Sequence, residues 1–421
     1  MPQRKCTKTK AKVTRPQKRI TLPIEMEQYR NLVEDGSAYR SWLDEMIVKH
    51  PELFPKNICE GYTLHDQRRS TKLTGVHLRR ICLKARDGAG KEQVFTIAPS
   101  GVMPYGVGLT DDLEKALFLR RFDVPFWALS YVFGRDDQDW YRLENHFGRY
   151  NLVQTVVKDP EKMPKHLLAD EKVTWLNGEE VVIATTVGED CVLGASVALG
   201  MDTPHLTEAY QHFKDEAQQL DPEYQPETVN TDGWEATQKA WHSLFPLVLI
   251  LECFLHAFIK IRARGKHLKE TFHQLSQKVW EVYHALDAHA FRTQTAELLT
   301  WAESNTTAYV LEAVRKLCAK VDRFVLAYDH PLAHRTSNML DRHMNLMDRW
   351  LFSSRFFHGH WTSAERSIRA WALLHDFGPY CPRSRSKQAF SSPAHKLNGF
   401  VYHENWLHNL MISTSMSGGT Q

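Results

Sequence analysis

The sequence predicts an α/β protein built on a mixed β-sheet with helices packed around it. Three observations predict it. Runs rich in Val, Ile and Thr fill residues 166–199 and are broken by Asn177-Gly178 and Gly188, the mark of an antiparallel meander. Helical and extended patterns then alternate as far as residue 251. From residue 266 onward, apolar side chains recur at helical spacing.

The chain has 421 residues and a net charge of +3, with 43% hydrophobic residues and twelve tryptophans. This composition excludes a wholly disordered protein and allows roughly two to four domains, each with its own core. The charge is unevenly spread. Residues 1–22 carry Arg4, Lys5, Lys8, Lys10, Lys12, Arg15, Lys18 and Arg19 and no acid. Such a segment reads as a disordered, polyphosphate-seeking arm. No apolar run follows these basic residues, so no signal peptide is expected. The seven cysteines are scattered and form no Cys-x-x-Cys pair, which points to reduced thiols rather than a disulfide framework or zinc ribbon.

Residues 23–109 read as an N-terminal region. Helices precede Pro55, and Arg80–Lys84 and Val94–Ile97 form a β-hairpin around Asp87-Gly88-Ala89-Gly90. Residues 110–160 read as three short helices separated by Pro125, Gly134 and Gly148. Thr110 with the acids after it opens the first of them. Three helices on tight turns suggest a helix-turn-helix-like DNA-binding region. Its DNA-facing candidates are Arg135, Arg142, His146 and Arg149; an ordinary helical connector is the alternative, because Asp136, Asp137 and Asp139 repel phosphate.

Residues 161–262 supply three strands, a helix over about 206–220, a short strand ending at Asp232, a helix over 234–241, and the apolar strand 247–251. The order β-β-β-α-β-α-β is that of an RNase H-like fold, in which the first and fourth strands lie side by side. Asp170 and Asp232 would then meet across the sheet. Residues 244–261 are apolar enough to suggest a membrane span, but Pro246, Glu252 and His256 argue for a buried strand leading into a helix. Residues 263–332 read as a helical insertion with stripes at Leu268, Phe272, Leu275, Val279 and Val282 and at Leu311, Val314, Leu317, Val321 and Phe324. Residues 333–380 supply the last core helices, and 381–421 a C-terminal tail with the basic loop 383–387.

Carboxylates on rigid elements are the groups that hold hard divalent cations. Asp170, Asp232 and Asp341 are the candidates, with Ser337 or Asn338 capping the helix that carries Asp341. Glu365 is the rival third acid. Cys253 and His256, with two residues between them, are too few to close a tetrahedral zinc site and read as packing and orienting groups.

These residues resemble a known family. Asp170-Glu171-Lys172, Thr231-Asp232-Gly233-Trp234, Cys253-Phe254-Leu255-His256 and Thr336-Ser337-Asn338-Met339-Leu340-Asp341 look like the motifs of bacterial insertion-sequence transposases of the DDE/DDD class, related to the Mutator-like superfamily. In that superfamily a Cys-x-x-His signature follows the second acid. The third acid, usually Glu, closes a Thr-Asn-x-x-Glu run after a helical insertion. Asp341 departs from that pattern by one methylene.

The resemblance implies an RNase H-like catalytic core holding two Mg²⁺ ions about 4 Å apart, with Mn²⁺ as a substitute. It also implies cleavage at transposon ends and transfer of the freed 3′-hydroxyl to target DNA. Lys172 and Arg335 would position phosphates. DNA is the expected partner, with a homodimer or higher oligomer assembling on it in the bacterial cytoplasm, associated with the nucleoid and not with a membrane. The rival functions are a DNA-binding protein derived from a transposase and a metal-dependent nuclease without strand transfer.

Overall fold

The computed structural model describes residues 18–70, 73–88, 90–104, 107–385 and 389–417. The basic side chains from Arg4 to Arg15 and residues 386–387 of the basic loop lie outside the described residues. The architecture is α/β, with two mixed sheets.

The N-terminal sheet consists of β1 (Arg19–Leu22), β2 (Tyr62–Arg69), β3 (His77–Leu83) and β4 (Val94–Pro99), in the order β1-β4-β3-β2. The expected hairpin is the antiparallel β3–β4 pair. Helices α1 (Met26–Glu34) and α2 (Gly36–Lys49) share a core with it through Tyr29, Tyr39, Leu43, Ile81 and Ile97. The end of the basic segment departs from the disordered arm expected for residues 1–22. Ile20 and Leu22 are fully buried, and β1 runs parallel to β4 with Ile20 beside Ile97. The cationic composition of the segment masked a short apolar strand at its end.

Helices α3 (Thr110–Arg120), α4 (Phe126–Phe133) and α5 (Asp137–Phe147) match the three expected, followed by the short α6 (Leu152–Val156). The inner face of α5 carries Trp140, Leu143 and Phe147 into the main core. At its end Gly148 lies against the backbone of Arg366, where an added Cβ would come within 1.9 Å of the Arg366 carbonyl oxygen. No other residue fits this approach.

The second sheet holds β5 (His166–Leu176), β6 (Glu179–Gly188), β7 (Cys191–Ala198), β8 (Thr228–Thr231) and β9 (Leu249–Glu252), in the order β7-β6-β5-β8-β9. Strands β5, β6 and β7 form the predicted antiparallel meander, while β8 and β9 run parallel to β5. Asn177 and Gly178 both have positive φ, 54° and 85°, as a two-residue hairpin turn requires. Helices α7 (Thr203–Leu220) and α8 (Glu235–Leu244) make the connections to β8 and β9.

Five helices then form a lobe: α9 (Phe254–Gly265), α10 (Glu270–Tyr283), α11 (Ala288–Asn305), α12 (Ala308–Cys318) and α13 (Val321–Asp329). Both predicted stripes contribute to its separate core, with Leu275, Val279, Val314 and Leu317 buried. The chain returns through α14 (Asn338–Ser353) and α15 (Trp361–Phe377), then α16 (Pro382–Arg385), α17 (Pro393–Asn398) and α18 (Trp406–Ser413).

The expected C-terminal tail is part of the core. Leu407, Leu410, Met411 and Ile412 on α18 are fully buried. The Ser415 hydroxyl accepts the Thr21 N–H and donates to the Thr21 carbonyl, both at 2.8 Å. Among the described residues no helix is long and apolar enough to cross a membrane.

Candidate active site

Strand register brings two of the acids together. Leu168 pairs with Asn230 in the parallel β5–β8 ladder. The ladder ends there; carried two residues further, its register sets Asp170 on β5 level with Asp232, the residue that follows β8, and the charge of Asp232 acts on Asp170. Adjacent strands are about 4.8 Å apart. The β8–β9 ladder sets Thr231 beside Glu252, so Cys253 comes next in that row. The Cys253 N–H donates to the Thr231 carbonyl at 2.8 Å.

Asp341 arrives from α14. Ser337 is the helix N-cap, and its hydroxyl donates to Asp341 Oδ2 at 3.0 Å. The same serine holds Cys253: its backbone N–H and hydroxyl both lie 3.2 Å from Sγ. Cys253 therefore links the end of β9 to the start of α14 and fixes where Asp341 stands. Lys172, two residues beyond Asp170 and so on the same face of β5, pairs with Asp348 on α14. Asp348 lies two turns past Asp341 and shares its face of the helix. Lys172 thus ties α14 to β5.

The electrostatics report the convergence. Asp170 is pushed up to about 6, first by burial and then by the charges of Asp232 and Asp341, with His256 acting in the opposite sense. His256, in the first turn of α9, is raised to about 9 by its contact with the Cys253 thiol and by Asp170 and Asp341. Burial alone would raise the Cys253 thiol, but its bonds to His256 and Ser337 bring it below its ordinary value. The charges of Asp170 and Asp341 both favour the protonated form of His256. The donors are carboxylate oxygens, the set that suits a hard divalent cation such as Mg²⁺ or Mn²⁺. Among the described residues, no three His, Cys, Asp or Glu side chains are already drawn to metal-holding distances.

The other expected residues lie elsewhere. Glu365, the rival third acid, accepts the Val197 N–H at 2.7 Å, and Asp376 accepts that of Val192. Both sit on α15 and cap the open edge of β7, a covering role. Arg335 donates to the Tyr283 carbonyl at 2.7 Å and lies between the rings of Tyr283 and Tyr328, locking the helical lobe. Arg135 donates to the Val107 carbonyl, and Arg142 pairs with Asp139 at 3.1 Å. His146 is held down to about 3 by burial and by Arg149, Arg19 and Arg366, so it stays neutral at physiological pH. Arg149 is exposed.

Three further groups have contacts that the sequence reading did not assign. Glu171 follows Asp170 and so faces the opposite side of the sheet. It accepts hydrogen bonds from Tyr210 at 2.8 Å and Thr237 at 2.7 Å, and burial raises it to about 7. Glu252, at the end of β9, is buried and pairs with Lys320 and Arg323 of the helical lobe. Gly233, with φ of +91°, packs against that pair, so a Cβ there would meet Glu252 Oε2 at 3.1 Å and Lys320 Nζ at 3.2 Å. Strand parity was the signal for Glu171. Glu252 had none, because its partners lie far downstream.

No protein-family model matches the sequence, and no curated protein matches it well enough to indicate a relationship.

Proposed function

We propose that the chain is a DNA transposase of the DDE/DDD class, with an RNase H-like core in which Asp170, Asp232 and Asp341 are the catalytic acids. The observation that carries this reading is that Asp170 on β5 feels the charges of both Asp232, just after β8, and Asp341, on the first turn of α14; open α/β sheets place their sites beyond the ends of parallel strands. The strand order β7-β6-β5-β8-β9, with only β6 antiparallel to the rest, supports the RNase H-like assignment. A helical lobe inserted between the second and third acids supports the transposase over a simple nuclease.

Bound divalent cations, two Mg²⁺ or Mn²⁺ ions, would polarise the scissile phosphate and lower the barrier to attack by water or a 3′-hydroxyl. The protein supplies the rest. Asp170 on β5 and Asp232 just after β8 would present oxygens, and Asp341 is held by the Ser337 hydroxyl. His256 relieves the repulsion among the carboxylates and lies where developing phosphate charge would be balanced. Cys253 orients both His256 and Ser337. Cleavage at the element's ends and joining to target DNA, by at least a dimer in the bacterial cytoplasm, complete the proposal.

The test is cleavage of DNA carrying the element's ends. Asp170→Ala and Asp232→Ala are expected to bind those ends as the parent does. Their Mg²⁺-dependent cleavage should fall by a factor of at least about a hundred, as the loss of several kcal/mol of charge stabilisation implies. Variants that cut as fast as the parent would refute the assignment. Pre-cut ends with a free 3′-hydroxyl should join to a plasmid; hydrolysis without joining would favour the nuclease.

A further inference from the structure

The helical lobe carries a groove of about 550 Å³ that opens at Asp232 and runs along the seam between α9 and α12. Its near end is floored by Asp232, Glu252 and Cys253. Glu252 is already balanced there by Lys320 and Arg323. Further out the walls become basic, with Lys260 and Arg264 on α9 and Lys316 on α12. One acid, Glu312, tempers them through pairs with Arg264 at 2.9 Å and Lys316 at 2.7 Å. Tyr309 forms the outer lip. The residue is 60% exposed, and the Arg264 guanidinium lies over its ring, 4.6 Å from the centroid. The ring is therefore backed by a cation and belongs to a largely exposed residue.

We propose that this groove holds a single strand of DNA leading to the scissile phosphate, with Lys260 and Lys316 on its phosphates and Tyr309 stacked on a base. The inference rests on the transposase reading above and adds the path of the substrate. A polyanion lying between Lys260 and Lys316 would arrive at Asp232 past two acids, Glu312 and Glu252, each already paired with two cations. The groove has the volume of a small-ligand cleft and lies on two packed helices whose axes are roughly 8–10 Å apart. That seam suits one strand and not a duplex. An open aromatic face backed by arginine is the usual stacking platform for unpaired bases.

The experiment measures binding of the full chain, in chelator, to fluorescent single-stranded oligodeoxynucleotides, blunt duplexes and single-stranded RNA over a series of KCl concentrations. Lys260→Ala with Lys316→Ala should flatten the salt dependence for the DNA strand by about 1.4 in log–log slope, at about 0.7 per lost phosphate contact. Tyr309→Ala should weaken binding by about tenfold and Tyr309→Phe should not. All three side chains changed are at the surface, so thermal midpoints should match the parent. Unchanged slopes and affinities would overturn the groove while leaving the acids intact, because Asp170→Ala is scored separately by cleavage. Equal effects on blunt duplex, or a preference for RNA, would also overturn it. A parent that neither binds strands nor cuts ends would defeat both readings.

Discussion

Asp170 joins protonation to folding and to cation binding. Its carboxyl is raised from an ordinary 3.8 to about 6 by burial and by its two acidic neighbours. A raised acid binds its proton more tightly in the folded chain, so ionising it costs stability above about pH 6. That cost fades as pH falls to about 4, where the unfolded chain takes up the proton too. In chelator, Asp170→Asn should therefore melt higher than the parent at pH 7.5, by on the order of 1–3 kcal/mol, with no advantage at pH 4. Melting curves at the two pH values check this; an advantage of equal size at both would remove the electrostatic explanation. His256 runs the opposite way. Raised to about 9, it adds stability below about pH 6.5 and loses it as pH climbs through 9. At the scale of single residues the sequence showed the three acids and the Cys-x-x-His pair, because their residue types are unusual where they stand. It did not show that Lys172 and Arg335 are held by Asp348 and by a tyrosine pair, since a cation's partner is chosen by the fold.

Among elements, the joint between the core sheet and the helical lobe matters most. Glu252 at the end of β9 holds the α12–α13 junction through Lys320 and Arg323, next to Asp232. Removing one cation leaves the buried carboxylate paired with the other. Removing both strands it, and an unpaired buried charge is costly. Lys320→Ala and Arg323→Ala should each cost under about 1 kcal/mol, and together about 3 kcal/mol, a non-additive result readable from denaturant unfolding of the four proteins. Additive small losses would mean the joint rests on apolar packing alone. The meander and the helical stripes were legible because period-2 and period-3.6 patterns survive without knowledge of partners. Strand β2 was not. Its residues Tyr62–Arg69 are mostly solvent-facing and polar, so no alternation marks it. Helix α18 and the turn after it were read as tail because their partners, Ser100 and Thr21, lie more than 300 residues upstream.

The whole molecule is organised so that segments remote in sequence close on one face of the sheet. Strands β5 and β8 provide adjacent acids through their register, and Cys253 and Ser337 seat the third after the chain has completed a five-helix excursion. The chain's ends also meet, with β1 and the turn after α18 joined through Thr21 and Ser415. Sequence alone could order these parts but could not show that α15 spends Glu365 on the sheet edge, which leaves Asp341 as the acid facing Asp170. The most direct test replaces Mg²⁺ with Fe²⁺ and generates hydroxyl radicals at the bound iron with ascorbate and peroxide. The account predicts backbone cuts clustered near residues 170, 232 and 341 in one protein, suppressed by excess Mg²⁺ and absent in Asp170→Ala. Cuts confined to one of these segments, or clustered elsewhere, would contradict a shared cation site.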